Sequence, residues 1–137
     1  MVDRLIPFYQ QADRNAEIDD FGTAESVAVN VLENFEQTIG FVGNGAIGPE
    51  QFEQISSWAK AFLTQEERFR QRIKGGHIRD CHGDLYSANI CLADKVYIYD
   101  CIEFNQRFRY CDVASDIAFL AMDLDFHGLK ELCVCTS

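Results

Sequence analysis

The sequence predicts an α+β fold, mostly helical, with a small strand cluster around residues 77–100. Three observations carry this. Apolar residues recur at helical spacing through residues 1–74. Short β-prone runs bounded by turn residues crowd residues 77–100, and helical period returns after residue 111. The 137 residues suffice for one domain, and 47% hydrophobic with 25% charged residues is ordinary for a globular chain.

The elements follow in order. The stretch DRLIPFYQQA reads as a short helix, with Pro7 limiting where it begins. TAESVAVNVLENFEQTI places Val27, Val31, Phe35 and Ile39 at helical spacing behind Thr23, a natural N-cap. GPEQFEQISSWAKAFL opens on Pro49, suited to a first helical turn, and gives an apolar face of Phe52, Ile55, Trp58, Ala59 and Phe62. TQEERFRQRIKGG begins with the capping-box pattern Thr64 to Glu67 and ends at Gly75. HIRDC and ANICL read as short strands, and KVYIYD alternates like a strand after the turn ADK. DVASDIAFLAMDLDFHG is a helix with Asp112 as N-cap, Val113, Ile117, Leu120, Ala121 and Leu124 on one face, and Gly128 to end it. Asp116, Asp123 and Asp125 read as solvated charges on that helix.

A net charge of −10 argues against nucleic acid or an anionic membrane as partner, since both reward basic patches. No apolar run approaches the ~20 residues that span a bilayer, and the N-terminus lacks the apolar core of a signal peptide. A cytoplasmic location is the expectation. Cys81, Cys91, Cys101, Cys111, Cys133 and Cys135 lack zinc-ligand spacing and read as buried free thiols.

Two motifs mislead. GNGAIG, residues 43–48, matches a dinucleotide fingerprint literally, but a helix precedes it and Pro49 follows, so a flexible interhelical turn is expected. HIRD, residues 77–80, has the letters of a kinase H-R-D, yet the residue five beyond Asp80 is Leu85. Five beyond Asp84 stands Asn89, so His82-Gly83-Asp84 is the better register.

Phosphoryl transfer needs a carboxylate at the attacking hydroxyl and oxygen ligands that hold Mg²⁺ against the phosphates. Asp84 supplies the first, Asn89 a neutral ligand from the same loop, and Asp100 an anionic one at the end of the next strand. A hairpin between them would bring the three into one cleft.

HGDLYSANI resembles the catalytic loop of the aminoglycoside phosphotransferase and choline kinase group, whose fold is similar to that of protein kinases. YIYD resembles that family's metal-binding strand end, and RYCDVASDIAFL its R-Y-x-D-[IL]-A helix start. The likeness covers residues 77–128 and looks closest to a bacterial branch sometimes fused to an ATP-binding P-loop domain. It implies Asp84 as catalytic base, Asn89 and Asp100 as Mg²⁺ ligands, His82 as loop-positioning residue, and Asp112 as the structural Asp that ties the helix start to the catalytic loop. The family often has Gly two residues after the metal Asp, where this chain has Ile102; Glu103 follows as a further candidate ligand.

The resemblance implies ATP as co-substrate, Mg²⁺, a small hydroxyl-bearing acceptor, and one partial kinase-like C-lobe over residues 1–137. Residues 1–74 would be its helical part, 77–105 its catalytic loop and metal-binding hairpin, and 111–128 the following helix. Residues 1–74 contain no strand run and no V-A-I-K-like segment, so the N-lobe is expected to be absent. A C-lobe truncated in this way should be inactive alone and self-associate through exposed surfaces. The alternative is a non-catalytic fragment or interaction module that retains the ancestral site.

Overall fold

The computed structural model describes residues 1–133; Cys135 and the side chain of Cys133 lie outside what it describes. Helix α1, Val2–Gln11, buries Leu5 and Tyr9, one turn apart on a single face. Pro7 sits inside it, correcting the expectation that this residue limits where the helix begins. Its exposed side leaves the buried face intact. A short α2, Ala16–Asp20, was not foreseen; Asn15 caps it by accepting the Ile18 N–H at 2.9 Å. Thr23 caps α3, Ala24–Thr38, as expected, and Pro49 opens α4, Pro49–Leu63. Between them the glycine-rich stretch is a turn, with Gly43 and Gly45 left-handed at φ 86° and 116°.

Two helical expectations need correction. Thr64 starts no capping box: α4 runs up to it, and its hydroxyl folds back to donate to Ala61 O at 2.8 Å. Helix α5, Glu66–Lys74, begins after Gln65 with no side-chain cap. The apolar face of α4 is only half used. Phe52, Ala59 and Phe62 are half-buried, while Ile55 is 50% and Trp58 67% exposed, because α4 packs mainly against α3.

The strands form two antiparallel pairs instead of one cluster. Strand β1, Ile78–Asp80, pairs with β4, Tyr110–Asp112, with Arg79 opposite Cys111. Strands β2, Ile90–Leu92, and β3, Val96–Ile98, form a hairpin with Cys91 opposite Tyr97. Strand β4 and the single turn α6, Gln106–Arg109, were missed; both are too short to show a period. Helix α7, Val113–Phe126, follows directly, and α8, Lys130–Cys133, ends the described chain.

Leu5 and Tyr9 of α1, Cys81 and Leu85 around the 82–90 loop, and Leu120 and Leu124 of α7 make one buried cluster. Burying each large apolar side chain is worth about 1.5–3 kcal/mol, so this cluster outweighs the surface ion pairs at roughly 0–1 kcal/mol each. A second contact is set by Gly22: a Cβ there would fall 2.4 Å from Ile78 Cγ1, so only glycine lets the chain after α2 pass against β1. The molecule is thus mostly helical with small antiparallel sheets, and no helix among the described residues is long and apolar enough to cross a membrane.

Candidate active site

The 82–90 loop leaves β1 inside the core cluster and returns as β2. Gly83 takes φ +83°, where a Cβ would meet Phe108 O at 3.0 Å, so glycine alone allows this turn beside α6. Leu85, 0% exposed, fixes the other side of Asp84. His82 is buried and bonded at both ring nitrogens. Nδ1 accepts the Asp84 N–H at 3.3 Å and Nε2 donates to Tyr99 O at 2.8 Å, which together set the tautomer with its proton on Nε2. The Asn89 amide donates to Asp84 O at 3.0 Å across the loop. Asp84 is thereby held through its backbone on both sides. Its carboxylate is half-buried and accepts no hydrogen bond from the described residues.

The hairpin brings Asp100 to the same network from the other direction. Tyr99 N donates to Asn89 O at 3.1 Å, and Tyr99 O accepts from His82. Asp100 then turns left-handed at φ 62°, the one described non-glycine residue with positive φ. Asp tolerates that region better than most residues, and such outliers concentrate at functional sites. Ile102 N donates to His82 O at 3.0 Å, closing the hairpin exit onto the loop. Glu103 is exposed.

The tie between loop and helix belongs to Asp116, not Asp112. Asp116 is 3% exposed, correcting its reading as a solvated charge. Its Oδ2 accepts the His82 N–H at 3.0 Å and the Tyr9 hydroxyl at 2.8 Å, and Oδ1 accepts the Gly83 N–H at 3.0 Å. The signal was present in the sequence: residues 116, 120 and 124 share one helical stripe, so a charge stood among core positions. Burial first, and then the charge of Asp116, push the Tyr9 phenol far above its ordinary value. Asp112 does cap α7, accepting the Ala114 N–H at 2.8 Å, but it otherwise grips Arg72 of α5 through two bonds of 2.7 and 2.6 Å. That pair raises the Arg72 guanidinium above its ordinary value. Asp123 is a second corrected charge: it accepts the Ser87 N–H at 2.8 Å, steadying the turn that carries Asn89.

Among the described cysteines only Cys81 is fully buried; Cys111 is half-buried, while Cys91 and Cys101 are exposed, correcting their reading as buried thiols. Hydrogen bonding with Cys111, then burial, push the Cys81 thiol far up, which suits packing and not nucleophilic work.

Asp84 and Asp100 border different depressions. Asp84 lines a cleft of about 320 Å³ with Tyr86, Phe119 and Asp123. Asp100 lines a larger one of about 690 Å³ with His82, Phe8 and Tyr97. No group of three or more His, Cys, Asp or Glu side chains is disposed to hold a metal among the described residues. Asn89, 4% exposed, lines neither depression, so the expectation of one cleft shared by Asp84, Asn89 and Asp100 is corrected: backbone bonds join their segments, and their side chains border separate spaces. Mg²⁺ needs few protein ligands, one or two carboxylates beside phosphates and waters, and of the expected ligands only Asp100 presents an exposed carboxylate at a depression.

The chain is 37% identical over 130 residues to uncharacterized proteins of Mycobacterium tuberculosis, strains CDC 1551 and H37Rv, and of Mycobacterium bovis. The match covers 93% of this chain and 26% of each relative, so the chain spans about a quarter of their length. No family model matches the chain, and no solved structure matches it.

Proposed function

We propose that this chain carries the catalytic loop and metal-binding hairpin of an ATP-dependent phosphotransferase, a kinase-like C-lobe acting on a small-molecule hydroxyl. The observation that carries the reading is the backbone network joining His82, Asp84, Asn89 and Tyr99. It joins the 82–90 loop to the strand leading to Asp100 through Tyr99, which lies 10 positions from Asn89 and 17 from His82 in sequence.

In this reading Asp84 orients the acceptor hydroxyl and takes its proton. Its carboxylate carries no bond from the described residues that would have to be broken first, and Gly83, Leu85 and the Asn89 amide keep it from swinging away. Asn89 and Asp100 would hold Mg²⁺, which supplies positive charge against the phosphates when bound. Asp100, exposed and fixed by its left-handed backbone, presents the anionic ligand; His82 holds the strand end in place through Tyr99. Glu103 is the reserve ligand in the same exposed segment.

A second reading, a non-catalytic interaction module, is favoured by the exposed side chains Phe41, Trp58, Phe104 and Phe126, at 68%, 67%, 86% and 85%. Calorimetric titration with ATP, with and without Mg²⁺, separates the two. The phosphotransferase reading expects Mg²⁺-dependent binding that Asp100→Asn weakens at least about tenfold, the scale of one charged ligand. Binding indifferent to both Mg²⁺ and Asp100→Asn sinks it.

A further inference from the structure

A third cavity, of about 640 Å³, lies between α3 and α7 beside the catalytic loop. We infer that it is the acceptor site of the proposed phosphotransferase, and that it takes a neutral polyhydroxylated molecule of sugar type. The inference rests on that functional reading for the word acceptor, and on the cavity alone for the ligand class.

The position follows from shared walls. Gly83, the residue before Asp84, lines the cavity. Phe119 and Met122 of α7 line both it and the cleft that contains Asp84. The two depressions therefore form a groove along α7, with the candidate base at one end. Its size falls within the roughly 300–1,000 Å³ of small-molecule sites.

The ligand class follows from the lining. On α3, Asn30, Glu33, Asn34 and Gln37 stand at i, i+3, i+4 and i+7, one helical face, and all four line the cavity. Two carboxylates are present, but neither is free. Glu33 is held by Arg107 Nη2 at 2.6 Å, and Asp116 by Tyr9, His82 and Gly83. A cationic ligand would find no uncommitted negative charge on the α3 side. What is uncommitted is neutral. The Asn34 and Gln37 side chains make no hydrogen bond with the described residues, and Asn30 Oδ1 is covered without a partner while its amide only reaches Arg107 O at 3.4 Å. Primary amides donate and accept at once, which is what vicinal hydroxyls require. Across the gap Phe119 adds apolar surface for the C–H side of a sugar.

The test is binding without nucleotide, followed by ¹⁵N–¹H amide shifts, using maltose and myo-inositol as neutral polyols and choline and kanamycin as cations. The inference expects a polyol to bind with shifts at Asn30, Asn34, Gln37 and Gly83. Asn34→Leu and Gln37→Leu, at exposed positions, should each weaken it about fivefold, the size of one hydrogen bond. Gln54→Leu on α4, outside the cavity, should change nothing. Tighter binding of choline or kanamycin, no binding of any probe, or polyol binding indifferent to both leucine variants overturns it. Polyol binding that obeys the variants, in a protein whose ATP binding ignores Mg²⁺ and Asp100, would leave this site standing and remove the phosphotransferase reading. Transfer to a cationic alcohol with no polyol binding would do the reverse.

Discussion

Asp116 reaches across from α7 to accept the backbone N–H of His82 at 3.0 Å, and the same carboxylate takes Gly83 and the Tyr9 hydroxyl. A buried side chain thus holds the start of the 82–90 loop by its main chain. Asp116→Ala leaves the buried His82 N–H, the half-buried Gly83 N–H and a buried phenol without a partner. It should lower unfolding free energy by at least about 2 kcal/mol, since each orphaned buried group costs roughly 1–3. Urea denaturation measures it, and a loss below about 0.5 kcal/mol would mean that water or another group replaces the carboxylate.

Gly83 and Gly43 have nearly the same backbone, φ +83° and +86°, but different surroundings. A Cβ on Gly83 would touch Phe108 O at 3.0 Å, whereas one on Gly43 meets nothing within 4 Å. Gly43→Ala should cost about 1–2 kcal/mol from conformation alone. Gly83→Ala should cost more than that, with altered amide shifts at Asp84. Equal losses would show that the loop has room beside α6.

Much of the architecture was legible because long helices repeat their chemistry: α3 and α7 declare themselves through caps and period. Strand β4 was not legible, because its three residues acquire meaning only through Ile78 and Arg79, more than thirty positions away. The site divides the same way. Asp84, Asn89 and Asp100 stand out by spacing. Their supports, Tyr9 and Asp123, are ordinary surface-type residues until folding sets them against a loop. Asp112 was given the tie that Asp116 makes because the resemblance placed the structural Asp at the helix start, and the partners of a buried Asp one turn further on lie elsewhere in the chain.

Asp123 should report on acid unfolding of the loop. Bonds from the Ser87 hydroxyl and N–H hold its carboxyl below the ordinary 3.8. The contact therefore adds stability above pH 3.8 that is lost as pH falls through the lowered value. The Ser87 amide shift should titrate with a midpoint below 3.8 in the native chain and lose that transition in Asp123→Asn. A midpoint at or above 3.8 would mean that the bond does not persist in solution.

Tyr9 sets the alkaline limit. Its folded pKa is raised, so its contribution is complete below the ordinary value of 10.0 and declines as pH rises above it, where only the unfolded chain ionises. Of the five tyrosines, Tyr9 should form tyrosinate only as the chain unfolds. Tyr9→Phe should be less stable at pH 7 yet show a weaker loss of stability above pH 10.0. Full ionisation of five tyrosines in a still-folded chain would contradict the Tyr9–Asp116 bond.

The most direct test of the account asks whether a divalent ion with nucleotide is held by Asn89 and Asp100. Mn²⁺ with ATP, added at substoichiometric levels, broadens nearby amide resonances. The account predicts selective broadening at Asn89, Asp100 and Cys101, extending to Asp84, dependent on ATP and abolished by Asp100→Asn. Broadening confined to other acidic surface residues, or unchanged by Asp100→Asn, would contradict it.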